Sequence, residues 1–383
     1  MREQVRHLKD SGVDVSVFAP SYQGLGDHQI DGVPVTRFRY FPAKWERLTH
    51  EEGAPNKLRN PLFNLLTIPY LLFGALAARK WAKRQGLDLV HVHWPFPHGL
   101  FGDVVRSATG IPVVSTCHGA ELSIGDKKWW ARTVLKSYLT RSDSLMANST
   151  DTASRMAAVA GVQPKVIPYG TTVEIRERID GRDDVPVVLF TGRLIQRKGV
   201  EFLVEAVPYI LKERQVRVVI TGDGDMRPRV EERIKALGLE GVVEMKGFVE
   251  TQELADLYST SDVYVLPAVY DDEGDTEGLG VTTIEAILYG VPVVASGIGG
   301  IIDVVKDRET GLIVPEKDPV AIAGAVLELL ADSELRDQLI AGGRAHVQEF
   351  FHWPKITSEL VRVYEGAVRA QGREGASIGG ALA

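Results

Sequence analysis

The sequence of 383 residues contains a single cysteine, Cys117. One cysteine excludes an intrachain disulfide framework and suits a reducing compartment, so we expect a cytoplasmic protein. Acidic residues outnumber basic ones, 51 to 44, which gives a net charge of −7. This balance provides no overall positive field, and we expect no nucleic-acid partner. The first residues, from Met1 to Arg6, contain no apolar run, which argues against a signal peptide.

Charge is also missing from one long stretch of the chain. The 18 residues from Pro61 to Ala78 carry no charged side chain, which meets the lower length limit of a membrane-spanning helix. Pro69 and Gly74 weaken such a helix. Basic residues flank the stretch on both sides: Lys57, Arg59, Arg79, Lys80, Lys83 and Arg84. Three interpretations stay open, namely a buried core helix, a helix that contacts an anionic membrane surface as a partner, and a spanning helix.

Predicted strands and helices alternate along almost the whole chain, which indicates parallel sheets with crossover helices. The length of the chain favours two domains. A charged segment without periodicity separates two such series and is typical of a linker, and the last residues are small and polar. We therefore predict an N-terminal domain over 1–170, a linker over 171–184, a C-terminal domain over 185–352, a helix over 353–370 that packs back toward the N-terminal domain, and a disordered tail over 371–383.

A loop rich in glycine and cations follows the predicted strand Val187–Thr191. It begins with Gly192 and Arg193 and ends with Lys198 and Gly199, directly before a predicted helix. Free backbone N–H groups and the helix dipole favour an anion at such a turn, and the cations add charge-assisted hydrogen bonds to phosphate oxygens. The alternative is a solvated loop whose cations bind nothing.

Two carboxylates stand eight positions apart around a second predicted helix, from about Leu279 to Tyr289 and ended by Gly290. Glu285 falls on the same helical arc as the apolar Val281, and a buried carboxylate needs a hydrogen-bond donor. Glu277 precedes the helix. Together the two carboxylates could hold opposite ends of a polyhydroxylated ligand. The alternative is a structural Glu285 paired with an internal cation, beside a solvated Glu277.

These motifs resemble those of the family 4 retaining glycosyltransferases of the GT-B fold. The resemblance rests on Glu277-x7-Glu285, on Gly192-Arg193…Lys198-Gly199 and on Pro168-Tyr169-Gly170. It is supported by the shorter motifs Ile220-Thr221-Gly222-Asp223-Gly224 and Gly247-Phe248-Val249. The motifs occur in the family's order over nearly the whole chain. The resemblance implies an α/β fold of two Rossmann-like, doubly wound parallel-sheet domains that face each other across a cleft.

The resemblance also implies roles for individual residues. Arg193 and Lys198 would hold the donor diphosphate, Glu285 the ribose hydroxyls and Glu277 the hydroxyls of the transferred sugar, which His118 would also approach. The implied catalytic set is therefore His118, Glu277, Arg193 and Lys198. The remaining implied donor contacts are backbone or base contacts, from Gly192, Gly222, Phe248, Gly278, Leu279, Gly280 and Val281. Such enzymes use a UDP-, GDP- or ADP-sugar and need no metal or other cofactor.

Three further histidines, His91, His93 and His98, are close together in the sequence. A metal site is one interpretation of them, and a loop on the acceptor side of the enzyme is the interpretation that we prefer. Phe248 could contact the nucleotide base, although an aromatic residue after a strand more often belongs to the core.

The sequence departs from the family pattern at three places. Met1 falls inside the family's first helix, so that we expect the first strand and its glycine-rich loop to be missing. An acidic loop from Tyr270 to Thr276 precedes Glu277, and it could shape the sugar site, act as a lid or simply be solvated. Gly170 is followed by Thr171-Thr172 instead of valine and aspartate.

The sequence thus predicts a retaining hexosyl- or N-acetylhexosaminyl-transferase that acts on a glycan or lipid-linked acceptor. We expect a role in cell-surface polysaccharide or glycolipid synthesis, with the protein peripheral on the inner face of the cell membrane. Two alternatives remain, a nucleotide-sugar epimerase of the same fold and a non-catalytic protein that binds nucleotide sugars.

Overall fold

The computed structural model of the chain describes residues 1–49, 61–176 and 185–372, with the backbone alone for 61–64. The parts of the predicted linker and tail at 177–184 and 373–383 lie outside the described residues. Contacts divide the chain into two compact units. Unit 1 consists of Met1–Ala147, Ala153–Ile167 and the segment from Ile356, and unit 2 consists of Asn148–Thr152 and Pro168–Lys355.

Unit 1 combines strands and helices along the chain. Its strands are β1 (Val17–Pro20), β2 (His28–Ile30), β3 (Val33–Phe38), β4 (Val90–His93), β5 (Val113–Cys117), β6 (Ser144–Ala147) and β7 (Lys165–Val166). Its helices include α1 (Arg2–Asp10), α2 (Pro61–Gln85), α3 (Pro95–Thr109), α4 (Ala120–Lys127), α5 (Trp129–Arg141) and most of α6 (Thr150–Ala160). One sheet has the order β4-β5-β6-β7, with all pairs parallel. The other has the order β1-β3-β2, with β2 antiparallel to β3.

Strand β5 shows why the larger sheet is parallel. All five of its residues are buried, and an apolar strand buried on both faces is typical of a parallel sheet covered by helices. The carboxyl ends of β4 and β5 therefore lie at the same edge, where β4 ends in His93 and the two strands are followed by Trp94 and His118.

Helix α2 contains the whole uncharged stretch. Its inner side packs on an aromatic cluster, where Tyr70 contacts Phe38 and Phe101 with ring centroids 5.4 and 6.0 Å apart. A Cβ atom at Gly74 would lie 2.5 Å from the Phe101 ring, which explains why a glycine stands there. In the part of the chain that the structure describes, no helix is long and apolar enough to cross a membrane.

Unit 2 has one six-stranded sheet among its described residues. Its strands are β8 (Val187–Thr191), β9 (Arg217–Thr221), β10 (Val243–Gly247), β11 (Val263–Leu266), β12 (Val293–Ser296) and β13 (Leu312–Val314). Its helices are α7 (Val200–Ile210), α8 (Arg227–Ala236), α9 (Thr251–Ser259), α10 (Val281–Leu288), α11 (Ile301–Val304), α12 (Pro319–Ala331) and α13 (Ser333–Phe350). The chain then continues into α14 (Trp353–Ala370), which belongs to unit 1 from Ile356 onward.

The strand order of unit 2 places its candidate site. The sheet has the order β10-β9-β8-β11-β12-β13, and every pair is parallel. Strand β8, the first of unit 2, therefore lies in the middle of the sheet, between β9 and β11. The chain adds β9 and β10 on one side of β8 and then β11, β12 and β13 on the other, so the direction of winding reverses between β8 and β11. In an open α/β sheet, ligands bind outside the carboxyl ends of the strands at such a switch point.

Element bounds agree with the sequence predictions where apolar runs are long and clearly bounded. The patterns of apolar residues predict strands over 33–38, 144–147, 187–191 and 263–266, and strands β3, β6, β8 and β11 span these residues. A further strand that the sequence predicts over 13–18 begins only at Val17, and helix α10 begins at Val281 rather than Leu279. The later start of α10 follows from Gly280, whose left-handed backbone (φ 75°) caps the helix.

Candidate functional site

The loops after β8 and β9 pack backbone against backbone. A Cβ atom at Gly222 would lie 2.0 Å from the Gly192 carbonyl oxygen, and one at Gly224 would lie 2.2 Å from that of Leu194. The Leu194 N–H donates to the Asp223 carbonyl over 2.9 Å. No side chain fits at either glycine, so the two glycine motifs of the sequence form a single layer of backbone at the switch point.

Lys198 lies at the end of the loop after β8. It closes a short 3-10 helix (Gln196–Lys198), and Gly199 then caps α7 in a left-handed conformation with φ 62°. A Cβ atom at Gly199 would lie 1.9 Å from the Pro267 carbonyl oxygen. This close approach holds the loop after β8 against the residues that follow β11. As a result, the Lys198 Nζ lies 2.7 Å from the Glu277 Oε2.

Glu277 is held in place by backbone as well as by Lys198. Its Oε1 accepts a hydrogen bond from the Gly280 N–H over 3.3 Å, and its carbonyl oxygen accepts one from the Gly300 N–H over 3.0 Å. Burial raises the pKa of the Glu277 carboxyl, but the charge and hydrogen bond of Lys198 outweigh burial, and the net pKa is lowered. Glu277 is therefore a carboxylate at neutral pH.

Glu285 has a different partner and the opposite pKa shift. Its Oε2 accepts a hydrogen bond from the Tyr258 hydroxyl over 2.9 Å. Burial raises the pKa of Glu285, only partly offset by the Tyr258 hydrogen bond and by the charge of Lys198. Within the part of the chain that the structure describes, the donor to Glu285 is thus the phenol of Tyr258. Tyr258 at the end of α9 gave no signal in the sequence, because nothing local links it to α10.

The first turn of α10 lies between these two carboxylates in the sequence and presents backbone N–H groups. Gly278, Leu279 and Gly280 lead into the helix at Val281, and backbone N–H groups at a helix start have no partner within the helix. The loop fits tightly here, since a Cβ atom at Gly300 would lie 2.0 Å from the Gly278 carbonyl oxygen. Free N–H groups, Lys198 and two carboxylates together can bind a ligand that carries both negative charge and hydroxyl groups.

Two predicted site residues lie exposed at the edge of this arrangement. Arg193 is exposed and forms no ion pair with any residue that the structure describes. Phe248 directly follows β10 and its side chain is 82% exposed, so it is not a core residue. A cation and an aromatic ring in this position are available to a ligand without breaking existing contacts.

The acidic loop before Glu277 is well connected. The Asp271 carboxylate accepts hydrogen bonds from the Glu273 and Asp275 N–H groups over 2.9 and 2.8 Å. Asp275 pairs with Arg197 at 3.4 Å, and Thr276 donates to the Val269 carbonyl over 3.0 Å. The pair of Asp275 with Arg197 ties the acidic loop to the loop after β8, while Asp272 and Glu273 are exposed to solvent.

Four histidines of unit 1 form a connected cluster around the carboxyl ends of β4 and β5. The His93 Nδ1 lies 3.0 Å from the His118 Nε2, and the His91 Nδ1 lies 2.7 Å from the Tyr364 hydroxyl. His98 is bonded to the Tyr70 hydroxyl at 2.9 Å. The sequence therefore predicted one cluster of three histidines, and the structure adds His118 to it.

Burial determines the charge of this cluster. Desolvation lowers the pKa of both His91 and His118 to about 3, and it lowers that of His98 as well. These imidazoles are therefore neutral at pH 7. Among the residues that the structure describes, no group of three or more histidine, cysteine or acidic side chains is arranged to hold a metal ion.

Trp94 is a residue of this region that the sequence did not single out as a site residue. Its backbone is left-handed (φ 53°), which is rare for a bulky side chain, and its ring centroid lies 4.5 Å from that of His118. Such local strain is found most often at functional sites.

Unit 2 is, by strand order, a Rossmann-like domain, and the groups at its switch point have the chemistry to bind an anionic, hydroxylated ligand. Comparison with known families identifies the enzyme class. The family model "Glycosyl transferases group 1" matches residues 172–346, and "Glycosyltransferase Family 4" matches residues 1–174. An uncharacterized glycosyltransferase of Methanocaldococcus jannaschii is 30% identical over 331 residues, which cover 79% of this chain and 83% of that protein. The chain therefore belongs to the glycosyltransferases that these two family models describe, and the protein is a glycosyltransferase.

Solved structures show the same fold. Sucrose-phosphate synthase from Thermosynechococcus elongatus matches with a TM-score of 0.78 at 24% identity, over 96% of this chain and 92% of that one. HepE of Anabaena, in complex with UDP and glucose, matches with a TM-score of 0.66 at 20% identity, over 87% of this chain and 86% of that one. The fold is therefore GT-B, as the sequence predicted, with two parallel-sheet α/β units.

Proposed function

We propose that this enzyme transfers a hexosyl or N-acetylhexosaminyl group from a UDP-sugar to a glycan or lipid-linked acceptor, with retention of anomeric configuration. The observation that carries the proposal is the grouping of Lys198, Glu277 and the start of α10 at the switch point of the unit 2 sheet. It offers positive charge and N–H donors for a diphosphate, and carboxylates for hydroxyl groups. UDP is chosen because a protein of the same fold is seen with UDP and glucose.

The proposed roles follow from the contacts that each residue has. Lys198 and Arg193 bind the diphosphate and stabilise the negative charge that develops on the leaving nucleotide. Glu277, ionised, accepts hydrogen bonds from hydroxyls of the transferred sugar. Glu285, held by Tyr258, accepts them from the ribose, and Phe248 stacks on the base.

The proposed reaction needs no nucleophile from the protein. An acceptor hydroxyl oxygen bonds to the anomeric carbon on the face from which the diphosphate departs, the bond from that carbon to the phosphate oxygen breaks, and the acceptor proton passes to a phosphate oxygen. Lys198 favours this step because its charge is placed where the leaving oxygen becomes negative. We keep His118 as a proposed contact of the sugar, on the basis of the family resemblance.

The first test is a thermal-shift titration with UDP, GDP and ADP. It is followed by analysis of the transfer products that the enzyme forms from UDP-hexoses and UDP-N-acetylhexosamines. A ligand that binds only the folded state raises the melting temperature. We expect a rise with UDP that is smaller in Arg193→Ala and Glu285→Ala. A response to GDP or ADP alone would overturn the choice of UDP. Transfer products whose anomeric coupling constant shows inversion would overturn retention.

The same experiment separates the two alternatives. A nucleotide-sugar epimerase would change the sugar of the donor without any acceptor, whereas a non-catalytic binding protein would give the thermal shift and no turnover. Incubation of the enzyme with UDP-glucose, with and without a panel of glycan and alkyl glycoside acceptors, distinguishes both outcomes from transfer.

A further inference from the structure

Helix α2 exposes a continuous apolar strip on the side opposite the aromatic cluster. The strip consists of Leu65, Ile68, Leu72, Phe73 and Leu76, whose exposed fractions lie between 48% and 70%. These residues follow the spacing of one helical face. The opposite face carries Tyr70, Ala78 and Ala82, which are buried. Thus α2 has two apolar faces, and only one of them is used by the core of unit 1.

The strip ends in a group of cations on the next two turns of the same helix. Arg79, Lys80, Lys83 and Arg84 are all exposed, and none forms an ion pair with any residue in the described ranges. The chain as a whole has a net charge of −7, yet the 25 residues of α2 contain no acidic side chain. The helix is therefore a local positive region on an acidic protein.

The order of the two groups fits a particular kind of surface. At a rise of about 1.5 Å per residue the apolar strip is roughly 16 Å long, and the cations extend it by about 12 Å, as far as Arg84. Arg79 and Lys83 lie near the same line along the helix as Leu72 and Leu76. A helix of this kind lies in the plane of a bilayer, with its apolar side among the acyl chains and its cations at the phosphate groups.

We propose that this outer face of α2, defined by Leu65, Ile68, Leu72, Phe73, Leu76, Arg79, Lys80, Lys83 and Arg84, docks on a lipid surface that carries anionic head groups. Charge complementarity decides for this occupant. In a symmetric dimer through this face, a second copy of the chain would bring another α2 face without any acidic residue, so the cations would remain unpaired. Anionic lipids pair with the cations and bury the strip at once. The docking deepens the proposed function, because it places the enzyme where a lipid-linked acceptor lies.

The test is flotation of the full chain with two kinds of vesicle, phosphatidylcholine alone and phosphatidylcholine with phosphatidylglycerol at 3:1. We expect binding to the anionic vesicles and weak binding to the neutral ones, with the affinity falling as salt rises. Leu72→Ser with Leu76→Ser removes apolar area, and Arg79→Glu with Lys83→Glu reverses charge. Because each Lys or Arg near such a surface contributes about fivefold to binding, the charge reversal should lower vesicle affinity at least about tenfold.

A matched control reverses two exposed cations elsewhere, Lys235→Glu with Arg362→Glu, and should leave vesicle binding within about twofold if the effect is local. The proposal would be overturned if the protein bound neither kind of vesicle, or if the control variant lost as much vesicle affinity as the α2 charge reversal. Unchanged binding in both α2 variants, or an α2 effect on self-association in gel filtration in place of vesicle binding, would overturn it too. Thermal shift with UDP is measured on the same samples without lipid, so that a failure of donor binding is seen separately from a failure of docking.

Discussion

Lys198 and Glu277 form a largely buried ion pair, with the Nζ 2.7 Å from the Oε2. They come from loops after different strands, β8 and β11, which are neighbours in the sheet. The pair keeps a cation and a carboxylate adjacent, at the place where the proposed donor presents a diphosphate beside a sugar. Each residue therefore stabilises the other and is also proposed to bind its own part of the donor.

Replacing Lys198 with methionine should affect both stability and turnover. The substitution leaves the Glu277 carboxylate buried without its cation, which should lower the free energy of unfolding by on the order of 3 kcal/mol. Loss of the positive charge beside the leaving group should lower kcat/KM about 10²- to 10³-fold. Urea unfolding and steady-state kinetics with UDP-glucose measure the two effects. Lys198→Arg retains the charge, and a stability loss as large as that of methionine would argue against the ion pair as its cause.

Arg193→Ala should reduce donor binding and leave stability unchanged. Arg193 is exposed and has no ion pair with a described residue, so its removal breaks no contact of the folded chain. Losing one charge-assisted contact to phosphate should weaken UDP binding by about 10-fold, which corresponds to roughly 1.4 kcal/mol. Isothermal titration with UDP gives the affinity. Lys235→Ala, an exposed cation on α8, is the control, and equal weakening there would mean that only net charge matters.

Tyr258→Phe and Tyr264→Phe form a matched pair that tests the role of Glu285. Tyr258 donates to the Glu285 carboxylate, whereas Tyr264 donates to the Thr282 Oγ1 over 2.8 Å. Both tyrosines are buried, so each variant should lose about 1–2 kcal/mol of stability. Only Tyr258→Phe should weaken UDP binding, by about 5-fold or more, because Glu285 loses the donor that orients it. Equal UDP affinity of the two variants would contradict this positioning role.

Gly222→Ala tests the backbone layer at the switch point. The new Cβ atom would meet the Gly192 carbonyl oxygen at 2.0 Å, at a residue whose φ is 107°. We expect the free energy of unfolding to fall by several kcal/mol. An alanine with a left-handed backbone but no clash costs only roughly 1 kcal/mol. Gly238→Ala supplies that reference, since its φ is 65° and no atom lies within 4 Å of the added Cβ. Similar melting temperatures for the two variants would show that the loops can move apart.

Stability should fall in mild acid because of the buried histidines. Burial lowers the pKa of His91 to about 3, while an unfolded histidine titrates near 6.5. Between these pH values the unfolded state binds more protons than the folded state. The contribution of the neutral, buried His91 to stability is therefore complete at pH 7 and is lost progressively as the pH falls below about 6.5. At pH 5 His91 and His118, whose pKa values are both lowered to about 3, should each cost about 2 kcal/mol.

Urea unfolding at pH 7.5 and pH 5 measures this loss of stability. His91→Gln should show a smaller loss between the two pH values than the original chain, and His352→Gln, at an exposed position, should not. An acid loss that is unchanged by His91→Gln would mean that other groups carry it.

Much of the fold could be read from the sequence because its signals are local. Apolar runs bounded by polar residues gave β8 and β11, and the alternation of strands and helices indicated parallel sheets. The bounds were less accurate where backbone geometry decides them, as at Gly280, whose capping conformation is not visible in an apolar pattern.

The candidate site was predictable only in part. The sequence singled out Lys198, Glu277 and Glu285 by motif, but it gave no reason to pair the first two or to expect Tyr258 at the third. Such pairings depend on which strands are neighbours, and on where the crossover helices place residues far apart in the chain. The connections of the acidic loop, with Asp275 on Arg197, were hidden for the same reason.

The sequence by itself determined the family, the two series of strands and helices, and the residue types that meet at the switch point, since these follow from local patterns. Only the tertiary structure decided which face of α2 is buried, because both faces are apolar and packing on Phe38 and Phe101 selects one. It also decided that Lys198 faces Glu277 and that Tyr258 holds Glu285. These contacts are set by long-range packing, which no short window of the sequence contains.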